Sequence, residues 1–204
     1  MALSKTYLVV LLIVTISMLF ESTTNAIGIS IATKKPIRVR TPQARVWSMC
    51  KKLEDPSRAG ICFKTILPKA LTTPKFNIYK ALEVETQATS VQINKTIAII
   101  TSLMPKYANN QDVSGSLDVC KQQYEMMPDS ITAAVAALAV RNAQEVNAQF
   151  SGIISYHSSC VDTFAESKDY PVAPFAADAK IVLDLATNCL DIATTIMNRV
   201  KHTP

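Results

Sequence analysis

The residues of this chain most able to do chemistry are five cysteines and two histidines. Cys50 and Cys62 enclose the polar loop of "CKKLEDPSRAGIC", and Cys120, Cys160 and Cys189 follow at wide intervals. A structural zinc site would need closely spaced cysteine or histidine pairs, and none exists. A thioredoxin-type redox couple needs Cys-x-x-Cys on a strand-to-helix turn, which is also missing. Cys189 with His157 is the one conceivable nucleophile and base, yet both fall on apolar stripes that packing requires, and His202 lies in the tail. There is no G-x-S-x-G elbow and no glycine-rich phosphate loop. Catalysis, a metal and a cofactor are therefore not expected. The cysteines read as staples, with one left over because their number is odd. Cys189 is expected to be that inert buried thiol rather than an intermolecular partner. His157 is expected to be a hydrogen-bonded core or boundary residue; buried and neutral, it would make acidic pH unfavourable to the fold or to a complex.

Staples imply an oxidising compartment, and the N-terminus supplies a route to one. Lys5 precedes an almost unbroken apolar run from Tyr7 to Phe20, and polar "ESTTNA" ends at Ala26 with small residues at the cleavage positions. The run is shorter than the roughly 20 apolar residues of a spanning helix. Residues 1–26 thus read as a signal peptide, and Ile27 to Pro204 as a secreted chain, extracellular and free of membrane segments, long enough for one domain.

The elements that must position the cysteines are helical nearly throughout. There are four glycines in the whole chain and no useful apolar–polar alternation, which argues against a sheet. Leu117, Cys120, Tyr124, Met127, Ile131, Ala134 and Leu138 recur at three-four spacing, with Pro128 inside the run predicting a kink or break near Met127. The same spacing links Ala143, Val146, Phe150, Ile153, His157, Cys160 and Phe164, and again Phe175, Ala179, Val182, Leu185, Cys189, Ile192 and Ile196. An earlier helix from about Ile78 to Met104 is less regular: Ala81, Val84, Ala88 and Val91 give way to Ile93, Ile97, Ile100 and Met104, and Pro105 ends it. Four such helices with short polar breaks bury their stripes most simply as an up-down-up-down four-helix bundle. The expected organisation is an all-α domain over 46–204, a helical hairpin over 46–73 leading into a bundle over 74–204, preceded by a basic arm over 27–45. The sequence alone does not fix which cysteines pair.

A signal-like leader, "VWSMCKKLEDPSRAGICFKTIL", a long helix, "LDVCKQQYEMMPDSITAAVAAL", "SGIISYHSSCVDTF" and "LATNCLDIATTIMNRV" follow one another. In this order, with Asp118, Cys120 and Tyr124 as Asp-x-Cys-x-x-x-Tyr and Cys160, Asp162 and Phe164 as Cys-x-Asp-x-Phe, the chain resembles the plant invertase and pectin methylesterase inhibitor family. The resemblance implies a disulfide-stapled hairpin and bundle, pairing of Cys50 with Cys62 and of Cys120 with Cys160, and non-covalent inhibition of a cell-wall carbohydrate enzyme in the apoplast.

Two targets are open. Family members that block acid invertase carry Pro-Lys-Phe before the fourth cysteine, where this chain reads "VNAQFSG"; its own Pro74-Lys75-Phe76 lies between the hairpin and the bundle, where Phe76 would pack as a helix staple. Pectin methylesterase is therefore the expected target, with cell-wall or vacuolar acid invertase as the alternative. Gln144, Asn147, Ser151, Ser155, Ser158 and Asp162 form a face of short polar groups free of Lys, Arg and Glu, which loses little side-chain entropy on docking, although most polar faces are simply solvated. Asn94-Lys95-Thr96 is the one glycosylation sequon, expected on a helix surface, although sequons often go unused.

Charge is segregated. Ile27 to Lys52 holds seven basic residues and no acidic ones, while the rest of the chain after Ala26 holds 13 basic against 15 acidic residues. The arm is expected to hold acidic, de-esterified pectin in a salt-sensitive way, the alternative being a solvated leader. Nucleic acid is a poor partner for basic residues without interleaved aromatics. A bundle carrying an apolar ligand between its helices is the remaining class.

Overall fold

Helix-start chemistry sets the order of elements in the computed structural model, which describes residues 41–167 and 170–201, without the side chains of 200 and 201. Thr41 accepts a hydrogen bond from Ala44 N–H, Pro42 occupies the first turn, and helix α1 runs Pro42–Cys50. These signals start the hairpin four residues before the expected boundary at Val46, so the last residues of the expected arm, Pro42 to Arg45, are helical. Asp55 accepts from Ser57 N–H and opens a 3-10 turn, Pro56–Arg58, which leads into α2, Ala59–Thr72. The remainder of the arm and the signal-like leader lie outside the described residues.

Three bundle helices begin on asparagine caps. Asn77 accepts from Lys80 N–H at the start of α3 (Ile78–Leu103), Asn110 from Val113 N–H at α4 (Gln111–Ala139), and Asn142 from Glu145 N–H at α5 (Ala143–Ala165). The last helix, α6, spans Ala176–Lys201. Pro105 falls in a 3-10 turn, Met104–Tyr107, that closes α3. Each bundle helix packs on its two neighbours in the cycle α3, α4, α5, α6, back to α3, so α3 and α5 occupy opposite corners. This is the expected four-helix bundle with an N-terminal helical hairpin, and no strand occurs among the described residues.

The stripes of α5 and α6 are buried at all of the positions expected. α4 runs unbroken through Pro128, so of the kink or break expected near Met127 the break does not occur. Proline costs about 3 kcal/mol inside a helix, but Leu117, Cys120, Tyr124, Met127, Ile131 and Ala134 are buried on both sides of it. At about 1.5–3 kcal/mol per large apolar side chain, that burial outweighs the lost hydrogen bond.

The first half of α3 differs from expectation. Its buried positions are Ala81, Leu82, Glu85, Thr86 and Thr89, while Val91 is 65% exposed. Tracing the stripe backward from Ile93 by threes and fours lands on polar residues. Threonine is tolerated there because its hydroxyl bonds the preceding turn, as Thr89 Oγ1 does to Glu85 O at 2.8 Å.

Disulfides Cys50–Cys62 and Cys120–Cys160 are both formed, with Cα atoms 5.8 Å and 4.4 Å apart. The first clips α1 to α2, where Trp47 and Phe63 also meet edge to face at 5.3 Å. The second ties the first third of α4 to the end of α5. Asp191 of α6 latches the hairpin to the bundle: its Oδ2 accepts from Arg58 Nη2 at 2.8 Å and from Glu54 N–H at 3.2 Å.

Candidate docking face and buried polar groups

The outer side of α5 follows from its inner side. Seven buried residues at three-four spacing leave Gln144, Ser151, Ser155, Ser158 and Asp162 exposed along one line of the helix. Ser151 Oγ donates to Asn147 O at 2.9 Å and Ser155 Oγ to Ser151 O at 3.0 Å, so these hydroxyls are turned onto the helix and held. Asn147 departs from the line. Its Nδ2 donates to Thr194 Oγ1 at 3.0 Å and to Leu190 O at 3.4 Å, so it braces α5 against α6. The face is built of short side chains on a disulfide-tied helix, which suits docking against another protein at little entropic cost.

The tripeptide Pro74-Lys75-Phe76 forms the turn between α2 and α3. Lys75 is exposed at φ 54°, a left-handed conformation, and Phe76 is half-buried against the core directly before the Asn77 cap. Arg141, in the turn between α4 and α5, is the other non-glycine residue at positive φ, 56°. It is the residue after the α4 cap, where Asn142 N–H donates to Ala137 O and Arg141 N–H to Leu138 O, a position that favours glycine. Its guanidinium stands 5.4 Å from the Tyr79 ring centre. Together they flank a groove of about 590 Å³ between α3 and α4. No pattern in the sequence marks either positive-φ residue.

Cys189 and His157 do not form a pair. The Cys189 thiol lies 3.7 Å from Thr89 Oγ1 and 4.0 Å from Thr86 Oγ1, both on α3, and burial pushes its pKa far up, which makes it unreactive. His157 instead shares a hydrogen bond with Tyr124 of α4, Nδ1 to hydroxyl, at 3.1 Å. Burial lowers the His157 pKa, with Asp162 and Asp184 opposing, and burial raises that of Tyr124. The neutral imidazole is a satisfied core group, as its place on the stripe implied.

Sequence reasoning missed a second buried cluster. Glu85 of α3 is fully buried and neither carboxyl oxygen has a hydrogen-bond partner; the same is true of both side-chain polar atoms of Asn188 on α6. Burial drives the Glu85 pKa well above the carboxylate range. The Asn188 amide opposes that shift weakly from outside good hydrogen-bond geometry. A glutamate amid threonines on a helix looks like solvated surface, so no sequence signal would have revealed it. Among the described residues no three His, Cys, Asp or Glu side chains are grouped as metal ligands. No helix of the described residues is long and apolar enough to cross a membrane.

Comparison with known proteins places this geometry. A family model described as plant invertase/pectin methylesterase inhibitor matches residues 44–192. Two solved structures share the fold. A mutant form A of a pectin methylesterase inhibitor from Arabidopsis is 18% identical, covered over 74% of this chain and 95% of its own, at a TM-score of 0.61. A pectin methylesterase inhibitor from Arabidopsis thaliana is 16% identical, covered over 74% and 94%, at 0.53. No curated protein is similar enough to count as a match.

Proposed function

Because the chain belongs to the plant invertase/pectin methylesterase inhibitor family, whose members are inhibitors and not enzymes, we propose that it inhibits pectin methylesterase by steric block of the substrate cleft. The α5 face of Gln144, Ser151, Ser155, Ser158 and Asp162 lies over the cleft and excludes the polysaccharide. No bond is made or broken by the inhibitor. The observation that carries this reading is the exposed, pre-oriented line of short polar groups on a helix fixed by Cys120–Cys160. The Ser151 and Ser155 hydroxyls are already held by the helix backbone, so docking costs them little further entropy. The protein acts outside the cell, as its family does, after removal of residues 1–26.

A second reading is inhibition of acid invertase through the turn at Pro74-Lys75-Phe76, favoured by the exposed Lys75 at positive φ. The basic residues of 27–40 retain the protein on de-esterified pectin; truncation of these residues, which spares the Thr41 cap, is expected to abolish retention on polygalacturonate at low salt, and unchanged retention would end that idea.

The deciding experiment measures inhibition of a purified pectin methylesterase and a purified acid invertase by the oxidised protein. Ser151→Lys with Ser155→Lys is expected to weaken esterase inhibition by ~tenfold or more, corresponding to about 1.4 kcal/mol, with unchanged circular dichroism. Lys75→Ala is expected to leave it unchanged. Inhibition of invertase alone, lost in Lys75→Ala, would replace the first reading with the second.

A further inference from the structure

We propose that Asn94 carries an N-linked glycan, attached before α3 folds, at the corner of the bundle opposite the α5 face. The inference rests on the extracellular reading above, because only a chain entering the secretory route meets the transferase. Asn94 of the Asn94-Lys95-Thr96 sequon is exposed in the middle of α3. Its neighbours are engaged elsewhere. Lys95 Nζ pairs with Asp178 Oδ1 at 2.8 Å, and Gln92 Nε2 donates to the same oxygen at 3.0 Å, joining α3 to α6 on the side away from Asn94.

Thr96 sets the timing. The transferase must read the threonine hydroxyl of its acceptor, yet Thr96 is fully buried and its Oγ1 donates to Gln92 O at 2.9 Å. The folded helix hides half of the signal while it displays the acceptor. Transfer therefore precedes folding of α3. In that step the Asn94 side-chain nitrogen attacks the anomeric carbon of a lipid-diphosphate-linked oligosaccharide. An N–C bond forms, the C–O bond to the diphosphate breaks with its electron pair leaving on oxygen, and the amide proton passes to the departing lipid diphosphate.

The fold then places the glycan. Side chains on a helix lean toward its N-terminus, so the first sugar lies over the turn of Val91, the apolar residue of α3 that is 65% exposed. α3 touches α4 and α6 and lies diagonal to α5, so a glycan there leaves the docking face open.

The test secretes the full chain, with its own N-terminus, from a plant or yeast host beside Asn94→Gln. The expected result is one glycan mass on Asn94, removed by peptide N-glycosidase and missing from Asn94→Gln. A secreted chain with unmodified Asn94 overturns the glycan, whereas a chain held unmodified inside the cell overturns the extracellular reading on which it rests. Bacterially made, refolded protein incubated with microsomal transferase and lipid-linked donor is expected to stay unmodified and the reduced, unfolded chain to be modified; modification of the folded form overturns the timing. Equal potency of the two secreted forms on whichever enzyme is inhibited is expected, and a loss of potency in the glycosylated form overturns the placement.

Discussion

Replacing Glu85 by Gln keeps the shape of the side chain and removes its ability to ionise. In the fold, Glu85 is fully buried with no partner for either oxygen, so its pKa lies well above its ordinary value of 4.5. Below that value both folded and unfolded chains hold the proton, and its contribution to stability is fully present. As pH rises past 4.5 the unfolded chain releases the proton first, so stability falls until the folded chain titrates too. The slope is about 1.4 kcal/mol per pH unit while the two states differ by a full proton. In a domain of this size that corresponds to roughly 3–6 °C of melting temperature per unit. Glu85→Gln has no such slope, so melting curves of the two proteins are expected to diverge progressively above pH 4.5, with the variant the more stable. Thermal unfolding followed by circular dichroism in a pH series measures this. A constant gap at all pH values would show that Glu85 ionises normally in the fold and would refute the reasoning.

Other consequences can be checked with the same melts. His157 has the opposite sign: its lowered pKa gives stability present above 6.5 and lost as pH falls through the folded value, so His157→Gln is expected to flatten the acid limb of the stability profile. Loss of Cys120–Cys160 by double alanine substitution is expected to cost about 4 kcal/mol and loss of Cys50–Cys62 about 3, since the first closes the longer loop; chemical denaturation gives both. Asp191→Ala leaves the half-buried Arg58 with only the exposed Asp55 carboxylate, 3.3 Å away, and is expected to cost about 2 kcal/mol, with hydrogen exchange of α1 and α2 rising before that of the bundle.

How legible the molecule was depended on where polar residues fell. In α5 every core position except His157 is apolar, and in α6 the apolar stripe is unbroken although Asn188 and Asp191 are buried beside it, so periodicity located both helices and their inward faces. In α3 the pattern pointed at Val84 and Val91 because Glu85, Thr86 and Thr89 occupy the core, and hydropathy counts such residues as surface. Pro128 reads as a kink or break because local propensity knows nothing of the stripe buried on both sides of it. The α5 face could be read because exposure is the complement of burial, but Asn147 could not be told apart from its neighbours without Thr194, which lies on another helix. The Arg58–Asp191 latch joins residues 133 apart and has no periodic signature. The cysteine pairing was open on spacing alone and came from likeness to other chains.

The asparagine caps of α3, α4 and α5 have a meaning beyond marking where helices begin. Aspartate would do the same work with a little extra help from the helix dipole, but only while ionised. An amide oxygen accepts a hydrogen bond at any acidity. Asn77, Asn110 and Asn142 thus give these three helix origins fasteners that acid does not undo, so the frame carrying the α5 surface does not loosen at its hinges when the medium sours.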